Sequence, residues 1–257
     1  MTVAITAEQA FARRKPLLVP GYTDTTSDES YFVTRYFGAL TDNVDPENPA
    51  PEEEKSHPQA YYVEQPPHAT VPPHYHDTNQ FQIFLKGRAI FGRKPVASLT
   101  VHYASGHTPY GPIITESDST HYLTLRNLWD SGGKTMPDCR VTLRKICRRF
   151  HLIENIKIPD PTTVASGESE TNEVLPCEDD GLGVAVITLG EGASSDLALS
   201  RAGAGRYAHI VAGAVELEGQ SLGLNSCLYL GSDSNEPVRA CAGGAAIVVM
   251  QFPPEPF

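Results

Sequence analysis

The chain has 257 residues, with 20 Lys and Arg against 31 Asp and Glu for a net charge of −11. That length suits one large or two small domains, and the acidic excess excludes a nucleic-acid partner, because phosphate binding needs clustered Lys and Arg. Hydrophobic residues make up 40%, and Gly and Pro number 21 each, which fits a turn-rich globular chain rather than a disordered one.

In chain order, Thr6-Ala7-Glu8-Gln9 opens a short helical stretch through Arg14 with the spacing of a capping box, ended by Pro16 and Pro20. Tyr31 to Phe37 reads as a strand. Residues 41 to 59, including Pro51-Glu52-Glu53-Glu54, read as an exposed acidic loop. From Tyr61 to Trp129 short strands alternate with Gly and Pro: Tyr61 to Glu64, Gln80 to Leu85, Arg88 to Phe91, Ala97 to Tyr103 and His121 to Leu128. Strands at this spacing suggest an all-β barrel or sandwich. Arg140 to Ile153 is ambiguous between strand and helix. It holds the one basic cluster, Arg144-Lys145-Ile146-Cys147-Arg148-Arg149, which reads as a solvated face. Thr162 to Asn172 reads as a linker. Strands return at Val184 to Leu189, Tyr207 to Leu217, Ser226 to Leu230 and Ala245 to Phe252. Phe81 to Phe91 lies against Tyr207 to Leu217 as an internal repeat, with Gly87 matching Gly213, each expected at a hairpin turn with φ > 0.

No apolar run approaches the ~18 residues of a membrane span, and Met1 to Thr6 lacks the pattern of a signal peptide. The five cysteines, Cys139, Cys147, Cys177, Cys227 and Cys241, form no CxxC. A reduced cytoplasmic protein is expected.

The chemistry concentrates in Pro73-His74-Tyr75-His76-Asp77-Thr78-Asn79-Gln80-Phe81-Gln82. Residues two apart on a strand share a face, so His74 and His76 can offer two imidazoles to one point. Gln80 and Gln82 continue that parity, while Phe81, Ile83 and Leu85 take the other face. Neutral imidazoles bind Zn, Fe, Ni, Cu or Mn. Without a metal, the same pair would be hydrogen-bonded histidines at a strand end. His102 and His107 flank Tyr103-Ala104-Ser105-Gly106, and the loop continues to Tyr110. It is either a surface turn or a barrel mouth where Tyr110 touches substrate.

His74-Tyr75-His76, three residues, Gln80, six residues, Gly87 resembles the first motif of the cupin superfamily, with Gln80 where Glu is usual. His121, leading Tyr122-Leu123-Thr124-Leu125-Arg126, is the candidate for the single histidine of the second motif. The two β units over residues 60 to 257 resemble a bicupin. The resemblance implies an all-β fold of two tandem double-stranded β-helix (jelly-roll) barrels. Residues 1–160 would form the N-terminal barrel with the metal site and 161–257 a degenerate barrel. It implies a divalent transition metal (Fe, Zn, Ni or Mn) on His74, His76 and His121. Gln80 would be fourth ligand or hydrogen-bond a bound water, and Gln82 and Tyr110 would meet substrate. In the second barrel Ser200, Ala202 and Arg206 fall on His74, His76 and Gln80, so no metal is expected there.

Two functions follow. One is a metal-dependent, dioxygenase-like enzyme acting on a small organic substrate. The other is a non-catalytic small-molecule binding or sensing protein, favoured by Gln80 and by the missing Pro-x-Gly-x-x-His context before His121. Exposed strand edges suggest a homodimer.

Overall fold

The computed structural model describes residues 1–19, 23, 25–26, 29–42 and 49–255. The chain divides into two compact units, Arg13–Ile156 with Glu255, and Met1–Ala12 with Lys157–Pro254. Met1–Ala12 thus fall with the second unit. The strand Thr2–Ile5 pairs antiparallel with Cys227–Leu230 and closes an edge of the second unit, and an edge strand gains stability by having its N–H and C=O groups paired.

The capping box at Thr6 is present. The Thr6 hydroxyl accepts from the Gln9 N–H at 3.1 Å, and the Gln9 side chain accepts from the Thr6 N–H at 3.0 Å. The helix spans only Ala7–Phe11, ending before the prolines expected to stop it. Pro20 lies outside the described residues. Lys15 and Pro16 already belong to a strand, Arg14–Pro16, that pairs with Phe32–Phe37. In the acidic loop, residues 43–48 lie outside the described residues, and Glu52–Ser56 forms an exposed 3-10 turn.

The first unit is built on a sheet that runs, by neighbouring strands, through Phe150–Ile153, Thr100–Ala104, Gln80–Phe91, Thr120–Arg126, Gln59–Gln65, Phe32–Phe37 and Arg14–Pro16. The second runs through Thr2–Ile5, Cys227–Leu230, Arg206–Leu217, Val238–Gln251, Gly183–Leu189 and Ser169–Leu175. Ser169–Leu175 corrects the expected linker. Its polar residues run consecutively, with Ser169 to Asn172 all exposed, on an outer strand paired with Gly183–Leu189. Arg140 to Ile153 resolves into a 3-10 turn at Asp138–Thr142 and a strand at Phe150–Ile153.

The internal repeat has a structural counterpart. Gln80–Phe91 and Arg206–Leu217 are both 12-residue strands. Gly87 and Gly213 have φ of 76° and 66°, but neither sits in a hairpin turn. Both lie inside their long strands, beside irregularities in the pairing with the neighbouring strand. A Cβ at Gly87 would run into the Ser119 carbonyl oxygen, and one at Gly213 into that of Gly244. Glycine is needed there because a bent strand brings a neighbouring backbone too close for any side chain.

Candidate functional site

Cross-strand register gathers the polar residues of the first barrel. Arg126 stands opposite Gln80, and Thr124 opposite Gln82, on one side of the long strand. Ala104 and His102 stand opposite the same two residues on the other side. Directly opposed residues share a face, so Gln80, Gln82, His102, Thr124 and Arg126 form one inward patch. All five are buried. Beyond it the barrel interior is apolar, with Val33, Val63, Val71, Phe84, Phe91 and Tyr122 packed together.

The two histidines converge, with His76 just past the end of the strand that holds His74. His74 lies in the short strand His74–Tyr75, paired with Lys134–Thr135 and bridged to Tyr110. The rings of His74 and His76 are 5.2 Å apart at 90°. His74 Nδ1–H donates to the Pro72 carbonyl at 2.7 Å, and Tyr110 Oη donates to His74 Nε2 at 2.9 Å. Tyr110 Oη in turn accepts from Gln80 Nε2. His76 Nδ1–H donates to Asp130 Oδ1 at 2.7 Å. Asp130 is held by the Asp77 N–H at 2.9 Å and the Gly132 N–H at 2.8 Å. Each imidazole thus commits Nδ1 to a fixed partner, which sets its tautomer and leaves Nε2 with the lone pair.

Arg126 sits at the centre of this ring and is completely buried. Its guanidinium donates to Gln59 Oε1 and Gln80 Oε1 and faces the Tyr61 ring at 5.3 Å. Nη2 is 3.1 Å from His76 Nε2 and 3.2 Å from His76 Nδ1. Near-equal distances to both ring nitrogens place it against the imidazole face rather than at the end of a lone pair.

The electrostatics follow. Burial and then the Arg126 charge push His76 down to about 4, against the pull of Asp130. Burial, and then His76, holds His74 well below the ordinary histidine value. Burial works to raise the Asp130 carboxyl, but His76, Arg126 and Lys134 more than offset it and hold the group ionised. Near pH 7 the cluster is a cation and an anion separated by a neutral imidazole.

The sequence-predicted residues divide. His74, His76, Gln80 and Tyr110 meet in one hydrogen-bonded group, and Gln82 lies one step along the barrel, accepting from His102 Nδ1–H at 3.0 Å. His121 does not join them. It is five residues from Arg126, about 16 Å along a strand, and on the opposite face. Its Nδ1 is 3.1 Å from Tyr62 Oη, in a surface groove with Arg14, Glu64 and Lys86. Parity carried the signal: Tyr122, Thr124 and Arg126 alternate inward, which turns His121, Leu123 and Leu125 away. Arg126, Asp130 and Gln59 were not anticipated, and His102 was read only as flanking a loop that is a surface turn or a barrel mouth. Asp130 and Gln59 carry no spacing signal, because they reach the site by tertiary pairing.

The fold type implies a transition metal, and the donors fit it only partly. Two imidazoles and one amide converge, but among the described residues no group of three or more His, Cys, Asp or Glu side chains is placed to hold a metal. A divalent ion on His76 Nε2, at about 2.1 Å, would lie within about 5 Å of the Arg126 guanidinium. With an effective dielectric near 20, that repulsion is about 7 kcal/mol. Asp130, beyond the imidazole, offsets part of it. With Arg126 in place, the set does not fit a divalent cation.

A cavity of about 40 Å³ lies against Arg126, lined also by His76, Gln80, Gln82, Tyr110 and Thr124, with apolar walls from Val63 and Tyr122. Since about 10–15 Å³ holds one water, it admits only a few waters or a very small ligand. Among the described residues, Arg126 is the one charged side chain in its wall.

The second barrel has no such patch. Ile187, Ala208, Ile210, Leu228, Ile247 and Val249 are among the side chains that fill its interior. Arg206, the counterpart of Gln80, donates from Nη2 to the carbonyls of Asp196 and Ser234 at 2.7 and 3.1 Å and so ties down loops.

No protein-family model matches the sequence, and no curated protein does. Solved structures match in shape. A candidate dioxygenase from Nostoc punctiforme superposes with a TM-score of 0.62 at 11% identity, covering 97% of this chain and 82% of its own. The bacterial pirin of Escherichia coli, solved with nickel(II), gives 0.56 at 12% identity, over 99% and 100% of the two chains. An oxalate decarboxylase variant from Bacillus subtilis gives 0.50 at 9% identity, over 93% and 78%. At such identities the likeness is one of fold: the chain shares with these proteins an all-β, two-barrel jelly-roll architecture.

Proposed function

We propose that the first barrel binds a small organic acid, with Arg126 as the anchor for its carboxylate and Gln80, Gln82, Thr124 and Tyr110 as the polar wall. The observation that carries this reading is a fully buried guanidinium lining a small cavity with, among the described residues, no other charged side chain in its wall. A carboxylate is the complement of such a group, because a guanidinium offers paired N–H donors and an ion pair away from water is stronger than one in water. The cavity volume favours an acid of formate or acetate size. The polar wall supplies orientation and the apolar end excludes bulkier ligands.

Thermal unfolding of the protein with formate, acetate, glycolate and acetamide tests it. A ligand present at about 100 times its Kd stabilises the folded state by about 2.7 kcal/mol. One or more of the carboxylates should raise the Tm, and acetamide should not. Equal response to all four, or to none, ends the proposal.

The second reading is the metal-dependent, dioxygenase-like enzyme. Nδ1 of both histidines is fixed outward, the habit of metal-ligating imidazoles, and the pirin of the same fold was solved with nickel(II). In this chain that reading needs Arg126 to withdraw. Metal content of the protein as isolated separates the two.

No helix among the described residues is long and apolar enough to cross a membrane. The five cysteines are free, which supports a reducing compartment such as the cytoplasm.

A further inference from the structure

We propose that Arg126 is the resident cation of a closed metal centre: its guanidinium supplies the positive charge that His76 and Gln80 contact, with His74 beside them, and removing that charge opens the centre to a divalent transition metal. The inference deepens the carboxylate reading in that both rest on Arg126 being charged and in place, but it does not require that any acid binds.

Three observations carry it. The two imidazoles already have the tautomer of ligands, with Nδ1 held by the Pro72 carbonyl and by Asp130, so each Nε2 carries the lone pair; in His74 it accepts from Tyr110 Oη at 2.9 Å, and turning that hydroxyl aside frees it. The Gln80 carbonyl oxygen, the third donor, is turned onto the guanidinium. Arg126 is introduced from the position opposite Gln80 on the neighbouring strand, so its charge enters at the level of that donor set. A cation is therefore present in the centre, but it is covalently part of the chain. It cannot be exchanged, it opens no coordination position, and it repels any ion that could.

Arg126→Met keeps the length and removes the charge; Arg126→Gln keeps polarity. Each is titrated with Co(II), following visible absorption and equilibrium dialysis, beside the wild type and the Arg126→Met, His76→Ala double variant. The wild type should retain no Co(II). The single variants should bind one equivalent, at least about a hundred-fold more tightly given the size of the charge repulsion. The double variant should lose it. Folded single variants, by circular dichroism, that bind no Co(II) overturn the proposal. If neither variant folds, the wild type decides. One tightly held equivalent of Co(II) in the native chain overturns the proposal. No binding, with the imidazole nitrogen resonances of His74 and His76 unchanged by added Co(II), supports it. These titrations contain no carboxylate, so they can fail or succeed independently of the organic-acid experiment.

Discussion

The two barrels share a frame and differ in what faces inward. Each has a 12-residue strand with a positive-φ glycine at the eighth position. In the first, that strand begins with Gln80 and Gln82 turned toward Arg126 and His102. In the second, it presents Ala208 and Ile210 to an aliphatic interior. His209 is buried too, but on the other face of its strand. An apolar core is held by area removed from water, about 25 cal/mol per Å², and needs no partner for any one atom. A polar interior holds only if each group is paired, because an unsatisfied buried group costs about 1–3 kcal/mol and a lone buried charge more. The first barrel meets that constraint for most of the patch, although His102 Nε2 is buried without a hydrogen-bond partner among the described residues, and gains a shaped, charged cavity. The second gives up the cavity and keeps the packing.

The sharpest way to break this comparison is Asp130→Ala. It leaves Arg126 without the carboxylate that balances it and His76 without its Nδ1 acceptor, and should cost about 3–5 kcal/mol. Urea unfolding monitored by tyrosine fluorescence measures it; a loss below 1 kcal/mol would mean the network carries little. The frame itself is tested by Gly87→Ala and Gly213→Ala. Each places a Cβ against a neighbouring carbonyl at positive φ and should lower stability by about 3 kcal/mol. Unequal effects would show that the glycines are not equivalent.

Gln80→Glu puts a carboxylate beside Arg126 and competes with a bound acid. Carboxylate affinity, measured by calorimetry, should fall about tenfold, or about 1.4 kcal/mol. Arg206→Gln in the second barrel should leave it unchanged.

The pH response separates the barrels next. His76 and His102 are pushed by burial to about 4 and about 3, and His209 in the second barrel to about 4. Folded values below the ordinary value of about 6.5 mean that the unfolded chain binds the extra protons. Stability is therefore full above about pH 6.5 and falls as pH drops toward 4. The first barrel, with His74 as well, should lose more. Glu255, pushed by burial up to about 7, works in the opposite direction across the same window, so Glu255→Gln should steepen the first barrel's loss. Hydrogen exchange at pH 7.5 and 5 reads each barrel separately. The smallest effect is expected from His121→Ala, which removes one partly exposed hydrogen bond. It should cost about 1 kcal/mol or less and leave ligand binding unchanged, whereas a loss of binding would restore His121 to the site.

Much of this was readable along the chain. Strand spacing, the glycine repeat and the His74-Tyr75-His76 parity are local, since alternation on a strand fixes a face whatever surrounds it. The same alternation, counted from Tyr122, would have turned Arg126 inward and His121 outward. What hid this was weighting residue type over parity: a histidine in a strand suggests a ligand, and an arginine suggests solvent. The apolar fill of the second barrel was likewise visible once Ser200, Ala202 and Arg206 replaced the donors.

The sequence by itself determined most of the inner strands, their two faces and the repeat, and set two imidazoles side by side, because these depend on a period of two residues and on glycine's backbone freedom. Only tertiary structure decided that Asp130, 54 residues from His76, orients that ring, that Gln59 and Tyr61 hold a guanidinium, and that a cation of the chain stands at the centre. Those outcomes depend on which strands become neighbours and how far each side chain reaches, and three-dimensional proximity leaves no periodic mark in the order of residues.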